Sequence, residues 1–323
     1  MGLPRLVFSL VLGPPILVAG ALCAAATLGA QLGRVSDDWD LLTHFAPVWL
    51  AVGLATLAAG LVSMGWVRRW LIWVGLDGAA LAAALIVPEY LRDAGPTAPA
   101  SAPRQLKLIQ FNVWAERNRD LAGTVAWIAR QNPDVVTVVE SSARFRRLMA
   151  EHTGMTPSCD YCEVTIFSRS PPVTSAIPKR PDNDAGAPLA RATFRDGRGE
   201  YTIIAVHPGW PTRGSRQQQE GRILAQVLRR FPQDSLILAG DFNSTPWSFS
   251  RRREDRLLGI PRRTRALFSW PAGWNSEPRI PIPISLLPID HVYAGNGWAT
   301  VKVERGPRLG ADHYPVIATL ARR

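Results

Sequence analysis

The chain has 323 residues, room for one large domain with extra segments, and 47% of them are hydrophobic. Its formal charge of +11 is uneven: residues 1–95 hold five Arg against six acids, while residues 96–323 hold the other 32 Lys plus Arg against 20 acids. The basic part suits an anionic partner, and zinc at Cys159 and Cys162 would need another pair of ligands nearby, where the one other Cys, Cys23, lies in the first apolar stretch.

Residues 1–92 read as a membrane domain with three transmembrane helices. The apolar stretches 6–28, 46–67 and 70–87 each come close to the roughly 20 residues that a bilayer core requires. Their near lack of charge over such lengths argues against a buried helical core. Trp39, Trp49, Trp66, Trp70 and Trp73 lie near the ends, as an interfacial belt does. Arg5 precedes the first span, and Arg68 with Arg69 is expected in the turn between the second and third. The 31–40 loop instead carries Asp37, Asp38 and Asp40 against Arg34. The positive-inside rule then puts the N-terminus in the cytoplasm and everything after residue 87 outside it. A cleaved signal peptide, with small residues at 24–26, is the alternative for the first span and would invert the orientation of the rest of the chain. Asp77, inside the third span, reads as a helix–helix contact rather than a functional carboxylate. Residues 93–104, D-A-G-P-T-A-P-A-S-A-P-R, read as a Pro/Ala-rich linker, extended at about 3 Å per residue.

From 105 to 323 strand and helix patterns alternate. Strands are expected at 106–111, 134–139, 164–167, 191–195, 201–206, 236–239, 289–293, 299–303 and 314–320. Helical spacing marks 121–130, 143–151 and 217–230. The chemistry-bearing residues stand at or beside strand ends: Asn112, Glu140, His207, Asp241 with Asn243, Asp290, and Asp312 with His313. Strands laid side by side would bring these ends to one sheet edge. The stretch 236–247, L-I-L-A-G-D-F-N-S-T-P-W, is the centre: an apolar strand releases Asp241 and Asn243 on its turn. Gly240 marks a place where something must come close. Hard oxygen donors suit Mg²⁺, a carboxylate can take a proton from water, and a His paired with an Asp can steady charge on a phosphate.

Six pieces occur in order: Q-F-N-V-W at 110–114, V-V-E at 138–140, A-V-H-P at 205–208, L-A-G-D-F-N at 238–243, P-I-D-H-V at 288–292 and A-D-H-Y-P at 311–315. On these the chain, over 105–323, resembles the endonuclease/exonuclease/phosphatase family, to which DNase I belongs. With the preceding spans it also resembles a bacterial membrane-anchored subgroup. The resemblance implies an α/β fold, a four-layer α/β/β/α sandwich with the site at one end of two sheets. It implies a metal-dependent phosphoesterase that uses Mg or Mn. Asn112 and Glu140 match metal-binding positions, and Asp312 matches a further acidic position. Asp241 matches the general base, and Asn243 would hold the attacked phosphate. His313, oriented by Asp290, would stabilise negative charge, and His207 would assist the leaving group. His291 reads as structural. Glu163 departs from the family's Gly, and no Tyr takes the phosphate-contacting place it has in abasic-site nucleases. The implied localisation is a bacterial inner membrane, multi-pass, with the catalytic domain extracytoplasmic. The alternative is a non-catalytic membrane scaffold or binding module that keeps the fold.

In such a compartment Cys159 and Cys162 are expected to form a disulfide. Arg251, Arg252 and Arg253, with Arg256, Arg262, Arg263 and Arg265, read either as a solvated helix face or as a substrate-binding rim. Such a rim would gather nucleic acid or phospholipid. Trp210, Trp270 and Trp274 stack on bases, touch lipid or pack. The expected partners are a phosphoester substrate and the membrane; the sequence names no protein partner.

Overall fold

A computed structural model of the chain describes residues 2–159, 161–176, 186–272 and 284–323. Trp274 lies outside the described residues. The chain forms two compact units, residues 1–92 with 247–252, and residues 93–246 with 253–323.

The first unit is helical: α1 (Gly2–Val11), α2 (Gly13–Gln31), α3 (Asp37–Asp40), α4 (Ala46–Val62) and α5 (Gly65–Leu91). The segments Gly13–Arg34, Asp37–Val62 and Gly65–Leu91 are long and apolar enough to cross a membrane. The first expected span is split between α1 and α2. Proline stands in the first turn of α2, where its missing N–H is no loss. Arg68 and Arg69 lie inside α5 rather than in a turn; the break between α4 and α5 is at Ser63 and Met64. Asp77 is exposed on α5, so the expected helix–helix contact is not its place.

Glycine sets the spacing of α4 and α5. A Cβ on Gly75 would lie 2.4 Å from the Leu57 amide nitrogen, and one on Gly53 would lie 2.6 Å from that of Ala79. Lipid tails are as apolar as Leu, so helices in a membrane associate by such close backbone approach. Gly75→Leu should force α4 from α5 and cost on the order of 1–3 kcal/mol, as overpacking does elsewhere. The check is the unfolding midpoint in detergent; an unchanged midpoint would show that the pair does not meet at this glycine.

Residues 93–104 are not a free spacer. The Ala98 N–H donates to Thr300 O at 2.9 Å, and the Thr300 N–H donates to Pro96 O at 2.8 Å. The Arg263 guanidinium adds bonds to Ala94 O (3.0 Å) and Pro96 O (3.1 Å). Pro and Ala favour extended chain, and here a sheet edge receives it.

Beyond it come β1 (Gln105–Asn112), α6 (Leu121–Gln131), β2 (Val135–Val139), α7 (Ala143–Thr153), β3 (Thr156–Pro157), β4 (Thr165–Ser168), β5 (Thr174–Ala176) and β6 (Leu189–Asp196). They are followed by β7 (Gly199–Val206), α8 (Gly214–Leu228), β8 (Leu236–Asp241), α9 (Phe249–Leu258), β9 (Asp290–Ala294), β10 (Trp298–Arg305) and β11 (Val316–Arg322). One sheet runs β10-β11-β1-β2-β4-β3 and the other β5-β6-β7-β8-β9. Alternation along each strand divides neighbours between layers. Leu108, Ile203 and Ile237 join the core between the sheets. Ile109 packs outward with residues of α6 and α7, and Ile204 and Leu238 pack outward with residues of α8. The result is the four-layer α/β/β/α sandwich. Gly240 has its reason here: a Cβ would lie 2.0 Å from Val206 O, so the close approach is strand to strand.

Candidate active site

Two parallel pairs and two antiparallel neighbours build the site. β1 pairs parallel with β2, and β7 with β8, so Asn112, Glu140, His207 and Asp241 all leave C-terminal strand ends. β9 runs antiparallel to β8, with Asp290 opposite Asp241, and delivers its N-terminal residue to the same edge. β11 runs antiparallel to β1, which brings the preceding Asp312 and His313 there too.

Asp241 is buried at the centre. Its Oδ1 accepts from the Asn243 N–H (2.9 Å) and its Oδ2 from Asn112 Nδ2 (3.1 Å). His313 Nε2 lies 3.5 Å from Oδ2, and His207 Nε2 lies 3.7 Å from it. Burial pushes the Asp241 carboxyl above its ordinary range, while His313 pulls it back. His313 Nδ1 donates to Asp290 Oδ2 at 2.7 Å. Burial alone would lower the His313 pKa, but Asp290, Asp241 and Asp312 together raise it to about 10. The ring is therefore an imidazolium held between two carboxylates.

Asn112 Nδ2 also reaches Glu140 Oε1 at 2.9 Å, and His207 Nε2 stands 3.9 Å from the same oxygen. Asn243 donates through Nδ2 to Pro208 O at 3.0 Å, with His207 Nε2 3.4 Å away. Glu140 and Asn243 both hold left-handed backbone, φ 52° and 50°. That conformation is uncommon outside Gly, and for Glu it costs energy that such sites store.

Two groups of described residues could hold a divalent cation. Oxygen and nitrogen ligand atoms of Asp241, Asp290 and His313 lie within 4.8 Å of one another. His313 Nδ1 and Nε2 both face carboxylate oxygens, so these three residues also form a hydrogen-bonded relay. Asn112, Glu140 and Asp312 form a second group that could hold a cation. Asp312 Oδ1 is buried with no partner among described residues. Burial raises the Asp312 pKa, and the nearby Glu140 and Asp241 charges raise it further. Crowded carboxylates with an unsatisfied oxygen are what a hard cation neutralises.

The expected residues Asn112, Glu140, His207, Asp241, Asn243, Asp290, Asp312 and His313 thus meet at one edge. His291 does not join them: its Nε2 donates to Ser244 O at 2.9 Å, which braces the turn after Asn243. Cys159 and Cys162 are joined by a disulfide, with Cα atoms 5.7 Å apart. The Glu163 side chain is exposed, and its carbonyl accepts from the Ser141 N–H at 2.8 Å.

Several of the arginines expected at a rim are engaged inside the protein instead. Arg251 is only 1% exposed, and Arg252 spends its guanidinium on the Leu85 carbonyl in the helical unit. Arg262 pairs with Asp255 at 3.0 Å, and Arg263 serves the packed 93–104 segment. A run of Arg at helical spacing has the same sequence signature whether its heads meet solvent or carbonyl oxygens. Arg251 is thus buried and Arg252 engaged within the protein, so these two do not present a solvated face. Sequence reasoning also passed over the link from Trp270 to the site. Its Nε1 donates to Asp312 Oδ2 at 3.2 Å, and its ring meets Trp210 edge-on with centroids 6.5 Å apart. Trp210 is 62% exposed, three residues after His207. No local pattern marks a Trp that serves a distant carboxylate.

The Endonuclease/Exonuclease/phosphatase family pattern matches residues 109–313, and the chain belongs to that family. Among curated proteins no sequence matches. Among solved structures, D. rerio TDP2 complexed with a single-strand DNA product is similar at 16% identity and TM-score 0.53, over 67% of this chain and 98% of that one. An endonuclease/exonuclease/phosphatase family protein from Bacteroides thetaiotaomicron matches at 14% identity and TM-score 0.51, over 68% and 98%. A mannosyl-6-phosphatase from Bacteroides thetaiotaomicron VPI-5482 matches at 13% and TM-score 0.50, over 67% and 99%. At such identities the likeness speaks for the fold alone.

Proposed function

We propose that the chain is a membrane-anchored, Mg²⁺-dependent phosphoesterase. The observation that carries this reading is Asp241, buried, with the Asn243 N–H on Oδ1 and both Asn112 Nδ2 and the His313 imidazolium on Oδ2. Asp241 takes the proton of the attacking water; its raised pKa makes it a better base than a free carboxylate. The His313 imidazolium, fixed by Asp290, stabilises charge that develops on the phosphoryl oxygens. His207 Nε2, beside Glu140 and Asn243, is placed to protonate the departing oxygen. Asn112, Glu140 and Asp312 would hold the cation, which supplies Lewis-acid polarisation of the phosphoryl group when bound. Asp312→Asn should raise the Mg²⁺ concentration needed for half-maximal rate on the order of 10–100-fold, the range found when metal-site partners are removed. A Mg²⁺ titration of initial rates checks it, and an unchanged half-point removes Asp312 from the metal site.

We further propose that the spans cross a bacterial inner membrane with the catalytic unit outside. Arg68 and Arg69 support this from within the first turns of α5, since the acidic loop lies at the other end of α4. A periplasmic phosphatase reporter fused after residue 100 should be active, and a fluorescent reporter that matures only in the cytoplasm should be dark. The reverse pattern would place the catalytic unit inside.

For the substrate we propose a phosphodiester with a planar group and no base sequence preference. Base-specific enzymes need base-edge contacts, whereas a Trp face accepts any base. Trp210→Ala should raise KM for a nucleoside phosphodiester by about 5–150-fold. It should spare an alkyl phosphodiester; equal effects on both would exclude stacking.

A further inference from the structure

Residues 247–252 begin only four positions after Asn243, yet they pack with residues 1–92. Their anchor is Asp40. An α-helix leaves its first N–H groups without helical partners. In α9 the Phe249 N–H donates to Asp40 Oδ1 at 2.8 Å and the Ser250 N–H to Asp40 Oδ2 at 2.7 Å. The Arg251 N–H is taken by Ser248 Oγ at 3.1 Å. Two of the three donors thus rest on one carboxylate from more than 200 residues earlier in the chain.

Asp40 is 3% exposed, and its charge sits at the positive end of the helix dipole. Gly33 leaves room for it, since a Cβ there would lie 2.8 Å from Asp40 Oδ1. Around this bond, Trp247 Nε1 donates to His44 O at 3.4 Å. The Arg34 and Arg252 guanidinium carbons stand 5.4 and 5.5 Å from the Phe249 ring centroid. Only Ser244, Thr245 and Pro246 separate Asn243 from Trp247, so the start of α9 has a short covalent path to the turn.

We propose that Asp40 is a positioning residue for the reaction: by fixing the start of α9 it fixes the turn that carries Asp241 and Asn243. The proposal rests on Asp241 acting as the base. It gives the helical unit a part in catalysis beyond attachment.

The test uses the full chain in detergent, with Asp40→Ala, Asp40→Asn, Gly33→Ala and, as control, the exposed Asp38→Ala. Asp40→Ala removes both acceptors, Asp40→Asn keeps one carbonyl oxygen, and Gly33→Ala displaces an intact carboxylate. Hydrogen exchange is read at 242–245 and 249–250, against α6 as an internal reference. Exchange at both segments in Asp40→Ala should rise on the order of tenfold, the effect of losing a helix cap. The α6 amides should be unaffected. Turnover of bis-p-nitrophenyl phosphate should fall on the order of 10–100-fold in kcat with KM unchanged, since a small misplacement of a catalytic group costs that much. Gly33→Ala should follow Asp40→Ala, Asp40→Asn should fall between it and the wild type, and Asp38→Ala should match the wild type. Faster exchange at 249–250 with none at 242–245, or with full kcat, overturns the positioning role. Unchanged exchange at 249–250 overturns the contact itself. A wild-type chain without turnover defeats the hydrolase reading instead, and the exchange at 242–245 still decides whether Asp40 holds the turn.

Discussion

Asp241→Asn should fold as the wild type does and lose about 10²–10⁴-fold in turnover, the usual contribution of a general base. The substitution keeps the shape and the acceptor oxygen that the Asn243 N–H uses. It removes the negative charge that faces His313 and the basicity that the buried site gives Asp241. Circular dichroism should match the wild type and kcat should carry the loss. Full activity in a normally folded variant would remove Asp241 from the chemistry.

His313→Ala should lose on the order of 10²–10³-fold in kcat, the range for deleting one donor to a developing oxyanion. Two carboxylates stand against the ring, at 2.7 Å from Nδ1 and 3.5 Å from Nε2. Without the imidazolium, Asp241 and Asp290 face each other with no cation between them, so the barrier rises through both lost stabilisation and repulsion. Asp290→Asn should show a smaller loss in the same direction, because the amide still orients the ring through a carbonyl oxygen while its charge is gone. Equal kcat in His313→Ala and wild type would assign charge stabilisation elsewhere.

The layered fold and most of the site were legible because both depend on short-range signals. Period-two alternation in 201–206 and 236–239 sends Ile203 and Ile237 one way and Ile204 and Leu238 the other. The polar residue that ends each strand then falls on one edge once the strands pair. What escaped were features made by residues far apart. The 93–104 segment has linker composition, but its carbonyls meet Arg263 and its backbone meets Thr300, and neither partner is nearby in sequence. Asp40 counted only as a charge in an acidic loop; its two amide partners lie in α9. The arginines of 251–253 looked like a surface because helical spacing does not record what a side chain meets. Left-handed backbone at Glu140 was invisible as well, since Glu carries no preference that would announce it.

Asp40 also bears on how the enzyme should be handled. A soluble fragment that starts near residue 100 lacks the carboxylate that holds α9, so its turnover should fall below that of the whole chain. Assays therefore belong on the full chain in detergent.

The most direct measurement of the central claim is hydrolysis of a generic phosphodiester by that full-length protein, as prepared, after EDTA, and after Mg²⁺ is restored. Turnover that disappears with EDTA, returns with Mg²⁺ and stays absent in Asp241→Asn is the predicted result. Turnover indifferent to EDTA, or no turnover on any mono- or diester by a folded, Mg²⁺-supplied chain, would contradict it.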